Sequence, residues 1–249
     1  MYICKEHEEL LQHCTAIIEC VCGDNKVGHG TSFFIKTNSS KILLMTNTHV
    51  VIEGEVINIL LTITKNGIKT NNVYELDFKD TLITHPEYDV CVIDITDIYE
   101  DITEDDGNIN IKFIGENQIL TNYDNMNLLQ DVIMVGYPSG LFDAYNNAPI
   151  IRTGRTATNI QNRFDNSEIF QIDVASVKGS SGSPVFSAND NGELSLIGID
   201  AKCYNHNTKV HEEHKNPNSR VVGYVDVPNH IGTIINSKVI YELIQSIHA

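Results

Sequence analysis

From Thr15 onward the chain is dominated by short apolar or alternating runs, broken by Gly, Asn, Asp and Ser. The runs at 16–21, 32–35, 42–45, 56–64, 73–78 and 90–95 predict β-strands, because side chains alternate between faces along a strand and turn residues punctuate its ends. Asn66-Gly67 predicts a tight hairpin, since both residues tolerate positive φ. The acidic, polar stretch 97–108 predicts a linker or long surface loop. A second set of runs follows at 132–135, 150–158, 169–174, 184–187, 194–204 and 220–227, with Asn189-Asp190-Asn191-Gly192 as a turn. The pattern predicts an all-β fold of two six-stranded antiparallel β-barrels, spanning 15–108 and 109–235. Residues 5–13 carry no Gly or Pro and predict a short helix within an N-terminal appendage, 1–14. Apolar positions at helical spacing after an Asn236 or Ser237 cap predict a C-terminal helix within 236–249.

Composition narrows the function classes. Apolar residues make up 41% and charged residues 20% of 249 positions, the balance of an ordinary globular protein. A net charge of -16 repels a phosphate backbone and an anionic lipid surface, so neither nucleic acid nor membrane is an expected partner. The start, Met1-Tyr2-Ile3-Cys4-Lys5-Glu6, lacks the basic residues and apolar run of a secretory signal, which leads to the expectation of a cytoplasmic protein. Six cysteines are too sparse for a disulfide scaffold. Cys4, Cys14, Cys20 and Cys22 fit no paired Cys-x-x-Cys spacing. His211-Glu212-Glu213-His214 lacks the His-Glu-x-x-His spacing of a zinc protease and reads as part of a surface loop over 205–220. No metal and no cofactor are expected.

Three strings carry chemistry. Gly179-Ser180-Ser181-Gly182-Ser183-Pro184 surrounds one serine with small residues, so the chain can turn tightly and aim backbone N–H groups inward. Thr46-Asn47-Thr48-His49-Val50 places a histidine directly after an apolar strand, where its imidazole can accept a proton near neutral pH. In Tyr88-Asp89-Val90-Cys91-Val92-Ile93 a carboxylate opens a buried-looking strand, suited to orienting an imidazole.

In this chain order the strings resemble those of the trypsin-like, chymotrypsin-fold serine peptidases. Thr46-Asn47-Thr48-His49-Val50 is similar to the family's Thr-Ala-Ala-His-Val, and Gly179 to Pro184 is similar to its Gly-x-Ser-Gly-Gly-Pro with Ser183 in place of the second glycine. Gly28-His29-Gly30-Thr31-Ser32-Phe33, Val135-Gly136-Tyr137-Pro138 and Leu196-Ile197-Gly198-Ile199 are further matches, closest in flavour to bacterial HtrA-like and glutamyl-endopeptidase-like members. The resemblance implies His49 as general base, Asp89 as its orienting acid, Ser181 as nucleophile, and the N–H groups of Gly179 and Ser181 as oxyanion donors. It places Ala175 at the base of the specificity pocket, where no charge attracts Lys or Arg, and Lys178, Ala201, Lys202 and Cys203 along the substrate. The family's activating salt bridge needs an aspartate where this chain has Ser180, and neither the chain's start nor its length suggests a clipped N-terminus or a PDZ module. The implied function is a serine endopeptidase acting on a protein or peptide. The alternative is a silent or partner-activated module of the same fold, with an activating protein as partner.

Overall fold

The computed structural model describes residues 3–23, 25–211 and 221–247. After helix α1 (Lys5–His13), the N-terminal half builds strands β1 (Thr15–Cys22), β2 (Asn25–Lys36), β3 (Ile42–Thr46), β4 (Val56–Lys65), β5 (Ile68–Asp77), β6 (Leu82–Thr84) and β7 (Cys91–Asp94). Helices α2 (Thr48–Val51) and α3 (Thr96–Asp105) and the two short strands β8 (Asn108–Ile109) and β9 (Ile114–Gly115) complete it. The C-terminal half contains β10 (Asp131–Gly136), β11 (Ile150–Thr156), β12 (Ile169–Asp173), β13 (Pro184–Ala188), β14 (Leu194–His211) and β15 (Val221–Asn236), followed by α4 (Ser237–Ile247).

The C-terminal strands close a barrel in the order β10-β11-β12-β15-β14-β13, as expected of one half. The N-terminal half departs from a closed six-stranded barrel. It is a nine-stranded sheet in the order β5-β4-β1-β2-β3-β7-β6, with β8 added to β4 and β9 to β2. Its end strands give the reason: β5 is mostly exposed along its length, and β6 is only 3 residues long, so neither offers an apolar edge that closure would bury.

Continuous apolar runs mark strands buried on both faces. All of β3 is buried, and its residues alternate between two cores. Ile42 and Leu44 face the interior of the N-terminal sheet with Phe34, Ile57, Cys91 and Ile93. Leu43 and Met45 face the seam between the halves, with Phe33, Val92, Ile133, Phe186 and the α4 residues Val239, Ile240, Leu243 and Ile244. The seam holds the two halves in register, so residues at its rim are positioned by rigid sheet. The Asn66-Gly67 hairpin forms as expected, with φ of 53° and 77° and Lys65 opposite Ile68.

Two stretches differ from expectation. The acidic stretch after β7 is largely helical: Asp94 Oδ1 accepts from the Thr96 N–H (3.1 Å) and hydroxyl (2.6 Å), and Ile102 is buried. Its acidic composition masks a narrow apolar face made of Ile98, Tyr99 and Ile102. The expected loop after Asn205 is instead an antiparallel ribbon of β14 and β15, pairing Asn205 with Pro228 through to His211 with Val221. Both faces of the ribbon are exposed, so no apolar alternation announces it. Pro228-Asn229-His230 resembles a turn but forms an irregularity inside β15, which runs on through Ile231 to Ile235 to pair with β12. The side chains of His211-Glu212-Glu213-His214 lie outside the described residues. Among those described, no helix is long and apolar enough to cross a membrane.

Candidate active site

β3 ends at Thr46, and the chain turns through Asn47 into α2, which carries His49 at the rim of the seam. Asn47 is fully buried and donates from Nδ2 to the carbonyl of Asp89 (2.6 Å), tying the histidine corner to the turn before β7. That turn is held by His85, whose Nδ1 accepts the N–H groups of Glu87 (3.1 Å) and Tyr88 (3.2 Å). Asp89 then meets His49 twice: Oδ1 accepts the His49 backbone N–H (3.0 Å), and Oδ2 lies 2.5 Å from Nδ1. With Nδ1–H donated to the carboxylate, the lone pair of the imidazole falls on Nε2. Burial alone would raise the Asp89 carboxyl, but hydrogen bonds from the His49 ring and backbone and from the Thr48 backbone outweigh it and hold the group below its ordinary value.

Ser181 lies in the turn between β12 and β13, partly buried. Gly179 and Gly182 take φ of +88° and +87°, the left-handed region that glycine enters without strain. A Cβ on Gly182 would fall 1.9 Å from the Thr31 carbonyl, so only glycine lets the turn approach β2. Gly30 serves the same closeness, since a methyl there would sit 2.9 Å from Ser181 O and 3.0 Å from Val50 of α2. The Thr31 N–H in turn donates to Ser181 O (2.8 Å). The serine turn and the helix bearing His49 therefore pack against one strand. Neither Gly179 nor Ser181 has an acceptor for its N–H among the described residues, while neighbouring carbonyls are occupied: Lys178 O by the Ser139 N–H (2.6 Å) and Gly179 O by the Thr31 hydroxyl (3.1 Å).

The remaining expected positions flank this turn. Ala175 and Lys178 are exposed. Lys202 and Cys203 pair with Thr233 and Gly232 of β15, and β13 pairs with β14 only as far as Ile199, so the opposite edge beside Ala201 to Cys203 carries no strand among the described residues.

Three polar residues beside the turn had no part in the sequence reading. Asp200 is buried at 1% exposure; its backbone accepts from the Gly182 N–H (2.9 Å) and donates to Ser183 O (2.9 Å). Its Oδ2 accepts the Ser176 hydroxyl (2.7 Å), and its Oδ1 has no partner among the described residues. Burial pushes this carboxyl up to about 7, against the opposing pull of the Ser176 hydroxyl and the charges of Arg152 and His49. Arg152, on β11, donates from Nη1 to Ala175 O and to Ser180 Oγ (3.0 Å). A carboxylate ending the apolar run Leu196-Ile197-Gly198-Ile199 was a readable signal for Asp200; Arg152 sits among alternating residues and carries none.

Residues 30–199 match the family described as the trypsin-like peptidase domain, which spans more than half of the chain. No curated protein matches the sequence. Among solved structures, the fold is similar to the Rv3671c protease from M. tuberculosis in its active form, with 13% identity and a TM-score of 0.54 over 98% of this chain and 84% of that one. It is also similar to the serine endoprotease from Yersinia pestis, with 14% identity and a TM-score of 0.53 over 99% of this chain and 67% of that one. At these identities the likeness is one of fold, and the family follows from the matched residues: the chain belongs to the trypsin-like peptidases.

Proposed function

We propose that the chain is a serine endopeptidase in which Ser181 is the nucleophile, His49 the general base and Asp89 the group that orients it. The reading rests on one arrangement: an imidazole fixed through Nδ1 on a carboxylate, carried by a helix that packs against the same strand as a serine turn whose Gly179 and Ser181 N–H groups lack acceptors among the described residues. His49 Nε2 takes the Ser181 hydroxyl proton as Oγ attacks the scissile carbonyl. The two N–H groups receive the negative charge that develops on the carbonyl oxygen. Collapse of that intermediate passes the proton from His49 to the leaving amine and leaves an acyl-enzyme, which water hydrolyses by the same route. The edge beside Ala201 to Cys203, unpaired among the described residues, supports binding of an extended peptide as an added strand. All six cysteines are free thiols, which suits a reducing compartment and supports a cytoplasmic placement.

A fluorescent fluorophosphonate tests the assignment, because it reports an activated serine without a known substrate. Label on the wild type and none on Ser181→Ala or His49→Ala is the expected result. A wild type that stays unlabelled, or equal label on Ser181→Ala, would refute it and favour a silent module.

A further inference from the structure

The segment between Asp173 and Pro184 belongs to neither flanking strand, yet it must hold Ser181 and two N–H groups in fixed positions. Its shape comes from donors on other elements, each engaging one carbonyl: Ser139 on Lys178 O, and Thr31 on both Gly179 O and Ser181 O. Arg152 acts differently. A single guanidinium nitrogen spans the segment, donating to Ala175 O near its start and to the Ser180 hydroxyl directly before Ser181. Ser180 is fully buried, and its Oγ also accepts the Val177 N–H (3.3 Å), so the hydroxyl is the knot where the segment folds back on itself.

The arrangement is expensive. Among the described residues, Nε and Nη2 of Arg152 are buried without partners, and no carboxylate lies within ion-pair distance of it. Asp200 supplies the opposite charge only across space. Buried donors left unpaired lower stability, and a fold keeps them where they serve something else. What this guanidinium serves is visible in its two acceptors, a carbonyl near the start of the serine segment and the hydroxyl next to Ser181.

We propose that Arg152 is a positioning residue that clamps the Ser181 turn from the barrel wall, keeping the Gly179 and Ser181 N–H groups turned outward. The site is then assembled without a proteolytic clip and without an activating partner. Released from Arg152, the peptide units around Gly179 lose one of their restraints, and glycine occupies either sign of φ about equally readily, so the remaining bonds from Ser139 and Thr31 alone resist their rotation. Rotation of one unit removes an oxyanion donor. This inference rests on the serine-peptidase reading and explains how that site stays formed.

The test compares the full chain with Arg152→Ala, Ser180→Ala and the double variant, using two readouts. The first is the rate of fluorophosphonate labelling. The second is amide hydrogen exchange, which needs no activity, in peptides covering 175–183 and, as reference, in those covering β10 and β13. Arg152→Ala is expected to slow labelling about tenfold to hundredfold, a partial form of the roughly 10²- to 10³-fold cost of losing one oxyanion donor outright. Exchange in 175–183 should accelerate about tenfold with β10 and β13 unchanged, and added guanidinium should restore part of the labelling rate. Ser180→Ala, which leaves the charges in place, should lose less and add nothing to Arg152→Ala. Unchanged exchange in 175–183 overturns the proposal, as does acceleration that includes β10 and β13, which marks general destabilisation. If the wild type itself stays unlabelled the peptidase reading falls, and exchange alone still decides whether Arg152 holds the turn.

Discussion

Replacing Asp200 by Asn isolates the effect of one buried carboxyl on stability. Asp200 is 1% exposed, among the described residues one of its oxygens has a single hydroxyl partner and the other has none, and burial moves its pKa from 3.8 to about 7. Between those two values the folded chain keeps a proton that the unfolded chain has released. The unfolded state therefore binds fewer protons, and stability falls as pH rises through this window. At 1.36 kcal/mol per unit, the full shift amounts to roughly 4 kcal/mol, and the part lying between pH 5 and pH 8 to roughly 2–3 kcal/mol. Asparagine resembles the protonated acid in shape and does not titrate. Its buried amide is left short of partners at every pH, so the variant carries a constant penalty of about 1–3 kcal/mol; the attraction between ionised Asp200 and Arg152 is already contained in the wild-type pKa and is no part of that constant. The penalty cancels when the wild-type minus variant difference is compared across pH. Urea unfolding followed by far-UV circular dichroism at pH 5 and pH 8 measures it, with the contributions of other titrating groups common to both proteins. The variant should gain roughly 2–3 kcal/mol relative to wild type between the two pH values. A difference that stays constant to within about 0.5 kcal/mol would show that Asp200 is ionised in the folded protein throughout, and would refute the reasoning.

Asp89→Asn keeps a hydrogen-bonding group beside His49 but can present N–H where the carboxylate accepted; it should lower the labelling rate about 10³- to 10⁴-fold. Because the Asp89 carboxyl is held below its ordinary value, its contribution to stability is present above the unfolded pKa and fades as pH falls through the folded one, so the variant's unfolding should be less acid-sensitive than that of wild type. Gly182→Ala forces a methyl against the Thr31 carbonyl at a φ of +87°, and should cost at least about 2 kcal/mol in urea unfolding and abolish labelling. Leu243→Ala empties a site on α4 that is 3% exposed within the seam; a loss of about 2–5 kcal/mol is expected, with the labelling rate of the folded fraction unchanged.

What was legible in the chain was whatever is local. The apolar run of β3, the Asn66-Gly67 turn and the α4 spacing each follow from side chains within a few positions of one another, and the three chemical strings are short enough to stand out singly. The features that escaped depend on distant partners. α3 is helical because Ile98, Tyr99 and Ile102 find the N-terminal core, which an acidic composition conceals. The ribbon of β14 and β15 forms because its strands pair with each other, with no buried face to impose a period of two. Arg152 is the extreme case: it lies 28 positions before Ser180, in no motif, and its effect on the turn exists only once β11 stands beside it. A chain carrying His49, Asp89 and Ser181 intact but a different residue at 152 would match the same strings and, on this reading, react more slowly. Catalytic competence in such a chain has to be argued from what holds the backbone N–H groups outward as well as from the side chains that the motifs name.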